Sequence, residues 1–123
     1  MEFNNNQAIY LQIAEIICEK ILLGQFKELE RIPSVREMAV QLEVNPNTVM
    51  RTFEFLQAND IITNKRGMGY FVSEEGKQKA TSLRKEEFLQ NELPQLFKTA
   101  MLLNISFEEL QNLYNEQKNN FKK

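Results

Sequence analysis

Between Pro33 and Ala58 two helical patterns follow each other with almost no chain between them, and this spacing limits the folds open to the sequence. Ser34 and Glu37 stand three apart, the spacing at which each side chain satisfies a backbone N–H of the other at a helix start. Val35, Met38, Ala39 and Leu42 then give one short apolar face. At about nine residues this helix falls below the roughly 12–15 an isolated helix needs, so neighbours must hold it. Glu43 and Val44 leave room only for a tight turn before Asn45, a good N-cap, and Pro46, a good first helical residue. The next helix is expected to run to about Ala58 and to stop at Asn59–Asp60, two residues that tolerate a left-handed backbone. With Val49 taken as inward, Phe53 and Leu56 lie within about 40° of it, and Asn47, Arg51 and Glu54 within about 40° of the opposite side.

The flanks supply what these two helices pack on. Ile9, Ile13, Ile16, Ile17 and Ile21 recur at helical spacing from about Gln7 to Leu23, with Gly24 as a stop. A loop follows, ending in a very short strand at Arg31–Ile32. Beyond the third helix, Ile61 to Lys65 and Gly69 to Ser73 read as strands joined by Arg66–Gly67–Met68, a glycine turn with cations at its tip. Tyr70 and Phe71 alternate faces, so one of them packs inward, and Gly69 serves the turn. Two short helices, a tight turn and a hairpin behind one long helix make an α+β, mainly helical chain: a winged helix-turn-helix domain over residues 1–74.

The rest, residues 75–123, is expected to be a short helical dimerisation tail of two helices. Leu83, Leu89, Leu93, Leu96, Phe97, Met101 and Leu102 form an imperfect stripe from about Glu75 to Leu103, with Pro94 set to kink or break it. Ser106 with Glu109 repeats the capping-box spacing and opens a last helix through Phe107, Leu110, Leu113 and Tyr114. Two helices cannot bury such faces alone, so they must pack on the first domain or on another copy of the chain. No convergent polar cluster among them announces a small-molecule pocket, and any effector is unknown.

Several chemistries are missing. The 123 residues contain no histidine and one cysteine, which removes His-based acid/base work, the usual zinc sites and any internal disulfide. Cys18 lies on the first helix without a base partner and reads as a buried thiol. No phosphate-cradling glycine loop occurs, no apolar run approaches the roughly 20 residues of a membrane span, and residues 1–7 lack the pattern of a signal peptide. The expectation is a cytoplasmic protein, not an enzyme, with no cofactor, no metal and no membrane partner. One number points away from nucleic acid: the net charge is −2, with seven Lys/Arg against nine Asp/Glu in residues 1–73 and eight of each in residues 74–123. Affinity for DNA must then come from a few well-placed cations and should be modest and salt-sensitive.

The strings AIYLQIAEIICEKILLG, RIPSVREMAVQLEVNPNTVMRTFEFL and GMGYFV, in that order over residues 8–73, resemble the DNA-binding domain of the GntR family of regulators. The anchors are Ile32–Pro33–Ser34 with Arg36–Glu37, then Val44–Asn45–Pro46–Asn47–Thr48–Val49, then Gly67 and Gly69 before the last strand. Asn-Pro-Asn-Thr-Val followed by a short helical tail is similar to the YtrA-like branch. Three positions depart from the general pattern: Glu28–Leu29 replaces a Pro-Gly pair, Asp60 replaces a glycine, and Pro46 replaces an arginine, as in that branch. The resemblance implies a homodimer joined through the tail helices, a palindromic double-stranded DNA operator and, commonly, repression of an operon for ABC-transporter components.

It also implies where DNA would be touched. Ser34 and Arg36 match the family's contact positions at the start of the second helix, and an arginine there suits phosphate or a guanine edge. Asn45, Asn47 and Thr48 cluster at the start of the third helix, the end that helix-turn-helix proteins place in the major groove. Asn47 suits an adenine edge, Thr48 a phosphate or thymine methyl, and Asn45 combines capping with contact. Arg51 follows one turn on, with Glu54 as a rival ion-pair partner. Lys65, Arg66 and Gly67 occupy the tip of the wing, suited to the minor groove. Against this stands a plainer alternative, a winged helix used for protein–protein interaction, which the acidic balance would suit.

Overall fold

A computed structural model of the chain describes residues 7–121; the reading of residues 1–7 as lacking a signal sequence lies almost wholly outside them. The order of elements is α1 (Ile9–Leu22), α2 (Val35–Leu42), α3 (Pro46–Ala58), β1 (Ile62–Lys65), β2 (Gly69–Val72), α4 (Gly76–Glu87), a π-helical turn (Phe88–Glu92), α5 (Leu93–Leu102) and α6 (Phe107–Phe121). Two compact units are formed, residues 1–85 and residues 86–123. Among the described residues no helix is long and apolar enough to cross a membrane.

The core of the first unit is one cluster in which Ile13, Ile17 and Ile21 of α1 meet Met38 and Leu42 of α2, Val49, Phe53 and Leu56 of α3, and Ile61, Ile62 and Val72 of the hairpin. Ile9, expected on the same stripe, is 46% exposed. It is the first residue of α1, and the buried face of that helix runs instead through Gln12, Ala14 and Cys18 beside the isoleucines. The face is broad because α4 covers part of it: Ala80 is fully buried in the core, Leu83 packs on it, and Arg84 forms a 3.2 Å ion pair with Glu15. For that reason the first unit extends to residue 85, past the boundary expected after residue 74.

Local signals terminate the helices as their residue types require. Ser34 and Glu37 form a complete capping box, with the Glu37 N–H donating to Ser34 Oγ at 3.1 Å and the Ser34 N–H to Glu37 Oε1 at 2.9 Å. Gly24, Glu43 and Asp60 all take positive φ just past a helix end. Leu29, which stands where a glycine was expected from the family pattern, also has φ of 68°.

The hairpin pairs Ile62 with Val72 and Lys65 with Gly69, so the turn is Arg66–Gly67–Met68, with Gly67 at φ 77°. Residues 29–32 run along the other edge of β2. The Leu29 N–H donates to the Val72 carbonyl at 2.9 Å, the Val72 N–H to Glu30 at 3.0 Å and the Ile32 N–H to Tyr70 at 2.9 Å, and Arg31 is bridged to Phe71. Tyr70 is the inward aromatic, edge-on to Phe53 at 4.8 Å; Phe71 faces away.

In the tail, Pro94 does not stop the helical path. It is the second residue of α5 and follows directly on the π-helical turn. Proline cannot donate to the carbonyl four residues back and its ring crowds that oxygen, and the wider turn accommodates both effects. The second unit is built from that turn, α5 and α6. Ser106 Oγ accepts the Glu109 N–H at 3.1 Å at the start of α6. Ala100 is its one well-buried hydrophobic residue among those described, while Phe97, Met101, Leu102, Phe107, Leu113 and Tyr114 stay exposed.

Candidate nucleic-acid interface

Helix α3 presents its outward side chains as the sequence pattern requires. Asn47, Arg51 and Glu54 are exposed, Thr48 is half-buried, and Val49, Phe53 and Leu56 are wholly buried. Its first turn holds few free backbone donors. Asn45 Oδ1 accepts the Asn47 N–H at 2.8 Å, the Asn45 carbonyl accepts from Thr48 at 3.0 Å and Val49 at 3.3 Å, and Pro46 has no N–H. The cap, the Asn45 carbonyl and Pro46 account for the N–H groups of this helix end. What α3 offers is side chains.

Asn47, Thr48 and Arg51 come together along an open groove of about 370 Å³ whose other wall is Ala8, Ile9 and Tyr10 at the start of α1. The Arg51 guanidinium carbon lies 4.0 Å from the centroid of the Tyr10 ring, in cation–π contact. Glu54 forms no ion pair with it. Thr52, fully buried next to Arg51, donates its hydroxyl to the Tyr10 carbonyl at 2.7 Å and ties the two helices together.

Helix α2 differs at its start. The capping box takes the Glu37 N–H, and Met38 bonds back to the Ser34 carbonyl at 2.8 Å. The N–H groups of Val35 and Arg36 make no hydrogen bond among the described residues, and the Arg36 side chain is exposed without an ion pair. Two orphan donors and a guanidinium at the positive end of a helix form a setting for anions. Glu37 does not cancel it outright. Its carboxylate is turned back on the Ser34 N–H, and that bond, the Ser34 hydroxyl and the nearby Arg31 hold its pKa below the ordinary value.

Lys65, Arg66 and Gly67 are all exposed at the hairpin tip, and Lys65 Nζ lies 4.5 Å above the Phe71 ring. Arg31 joins them, a residue that the sequence reading passed over. A Cβ built on Gly69 would meet Arg31 Nε at 2.9 Å, so the missing side chain is what lets Arg31 lie across the end of β2. Gly69 also has φ of 110°, so it serves the backbone as well. Arg31 is bridged to Phe71 of the wing and lies three residues before Ser34, the N-cap of α2. The signal that would have found it is pairing: Arg31, Phe71 and Thr63 occupy one level of the sheet and point to the same side. Among the described residues no hydrogen bond or ion pair links the three groups, which are the α3 groove, the start of α2 and the wing.

The family model for bacterial regulatory proteins, gntR family, matches residues 9–72. The chain belongs to the GntR family. Its members are transcription regulators rather than enzymes, and within them the chain falls in the YtrA-like branch. It is 34% identical over 102 residues to the HTH-type transcriptional repressor YtrA of Bacillus subtilis, covering 83% of this chain and 78% of that protein. With YhcF, an uncharacterized HTH-type transcriptional regulator of the same organism, it shares 40% identity over 73 residues, 59% of this chain and 60% of YhcF. A crystal structure of a GntR-family protein from Bacteroides thetaiotaomicron superposes with a TM-score of 0.70 at 50% identity, covering 91% of this chain and 98% of that one. GntR members of this architecture are winged helix-turn-helix proteins, as the hairpin and the α2–α3 pair are here. Among the described residues no group of three or more His, Cys, Asp or Glu could hold a metal ion.

Proposed function

We propose that this protein is a sequence-specific DNA-binding repressor of the cytoplasm that acts as a homodimer on a palindromic operator. The observation that carries the reading is the cluster of exposed Asn47 and Arg51 with half-buried Thr48 at the start of α3, on a domain whose wing and α2 start present further exposed cations. Helix α3 enters the major groove, where the Asn47 amide suits an adenine edge and Thr48 a thymine methyl or a phosphate. Ser34, Arg36 and the open N–H groups of α2 grip the backbone, and Asn45 adds its amide N–H₂ to its capping role. Lys65, Arg66 and Gly67 lie along the adjacent minor groove, and Arg31 adds a cation on the same wing. The apolar faces of α5 and α6 supply the contact between two copies, so that half-sites fall about one helical turn, near 34 Å, apart. Repression follows the relative named as a repressor, and an ABC-transporter operon is the target the branch suggests.

The test is a salt titration of binding to the duplex upstream of the chain's own coding sequence, with footprinting to find an inverted repeat. Affinity is expected to fall linearly on a log–log plot, and Arg36→Ala to weaken binding and flatten the slope by about one. Wild-type protein with no salt-dependent affinity for any duplex would give the advantage to a protein-interaction role, and unchanged binding by Arg36→Ala would remove that residue from the interface.

A further inference from the structure

We propose that Tyr10 is a positioning residue for Arg51: its ring fixes the guanidinium at the mouth of the α3 groove before DNA arrives. The proposal rests on the DNA-binding reading and goes beyond it, because Tyr10 lies on α1, outside the helix-turn-helix and the wing.

Three observations carry it. The guanidinium stacks 4.0 Å from the ring centroid, well inside the range over which a cation is attracted to an aromatic face. The ring is itself held, half-buried and edge-on to Phe55 at 6.2 Å, while the Tyr10 carbonyl takes the buried hydroxyl of Thr52, the residue next to Arg51. The register of ring and guanidinium is therefore set by the packing of α1 on α3. Among the described residues no carboxylate, Glu54 included, forms an ion pair with the guanidinium.

A long arginine side chain loses much rotamer freedom when it is fixed on a ligand, and a residue that fixes it beforehand removes that loss from the binding step. Contact with the ring engages no acceptor oxygen, so it takes none of the N–H donors that a planar fork needs to meet phosphate oxygens or a guanine edge. In this account Tyr10 touches no DNA and acts through Arg51 alone.

A double-mutant cycle on the full-length protein tests this, with binding to the upstream duplex as the readout. Tyr10→Leu is expected to weaken binding about three- to tenfold, Tyr10→Phe to restore it, and Tyr10→Leu to cost nothing more once Arg51 is alanine. Thermal unfolding of each variant establishes that it is folded, and Tyr10→Met, ring-free at similar volume, replaces the leucine variant if that one does not fold. Equal losses from Tyr10→Leu with and without Arg51 would overturn the proposal and leave DNA binding intact. A loss on Tyr10→Phe as large as on Tyr10→Leu would overturn it too, assigning the effect to the hydroxyl. If wild-type protein bound no duplex, the DNA-binding reading would fall and the positioning role with it.

Discussion

Replacing Gly76 by alanine sets two effects of opposite sign against each other. Gly76 is the buried first residue of α4, and on helix propensity alone alanine should stabilise by up to about 1 kcal/mol, less at a helix terminus than in its interior. Packing says the reverse. A Cβ there would sit 2.5 Å from Val72 Cγ1, 2.8 Å from the Ile61 carbonyl oxygen and 3.3 Å from Ser73 Oγ, where carbon contacts of about 3.5–4.0 Å are comfortable. Neither near neighbour can swing aside: Val72 is fully buried and paired with Ile62, and the Ile61 carbonyl accepts the Ser73 N–H at 3.0 Å. The backbone itself must move, and overpacking of this kind costs about 1–3 kcal/mol. The balance is a loss of about 1–2 kcal/mol, or roughly 5–15 °C in Tm for a unit of this size. Urea and thermal unfolding of the full chain at one fixed protein concentration measure it. An alanine variant as stable as wild type, or more so, would refute the reasoning and show that the start of α4 yields.

Leu29 holds a left-handed backbone, φ 68°, that costs an L-residue about 1–2 kcal/mol, and its side chain is largely exposed; Leu29→Gly should raise stability by about 0.5–1 kcal/mol in thermal unfolding, whereas Leu29→Ala should not. Burial pushes the Cys18 thiol up to about 11, against an ordinary 9.0. Below pH 9 both folded and unfolded chains keep that proton; between 9 and 11 only the folded chain does, so stability should fall by about 1.4 kcal/mol per pH unit across that window and level off above it. Urea midpoints measured from pH 8 to 11.5 check this, and Cys18→Ala should remove that part of the slope.

What could be read along the chain was what short-range physics decides. The capping box at Ser34, the N-cap at Asn45, the stop at Gly24 and the hairpin turn at Gly67 each depend on residues within one turn of each other, and they appear where their types demand. The outward set of α3 was equally legible, because Val49, Phe53 and Leu56 fix the helix rotation. Three things were not. The late boundary at residue 85 follows from α4 covering the flank of α1, a contact between segments some seventy residues apart that no periodicity encodes, and Ile9 is exposed because it opens α1 beside the α3 groove. The size of the α3 groove depends on Tyr10 and Ile9 of α1 facing Asn47 and Arg51, a juxtaposition outside the pattern of either helix. Arg31 and Tyr10 escaped because each meets its partner across the fold, on β2 and on α3 respectively.

The same distinction between local and total resolves the acidic charge. A net charge of −2 describes the whole molecule, but at physiological salt charges more than about 8 Å apart are largely screened, so bound DNA would feel mainly the residues beside it. Carboxylates differ in how freely they oppose DNA at the proposed face: Glu54 stands exposed on the outward side of α3 with no ion pair among the described residues, while two others are engaged. Glu37 is folded back on the Ser34 N–H, and Glu15 is engaged by Arg84 on the flank covered by α4. Among the described residues the cations of that face form no ion pair: Arg31, Arg36, Lys65 and Arg66 are exposed and Arg51 lies on an aromatic ring. Contact with the Tyr10 ring leaves the Arg51 charge unneutralised, whereas pairing with Glu54 would have offset it. An acidic chain can therefore present cations locally where a carboxylate such as Glu37 is turned back into a cap, and the charges within screening distance, not the total, set the sign of the field at a bound phosphate.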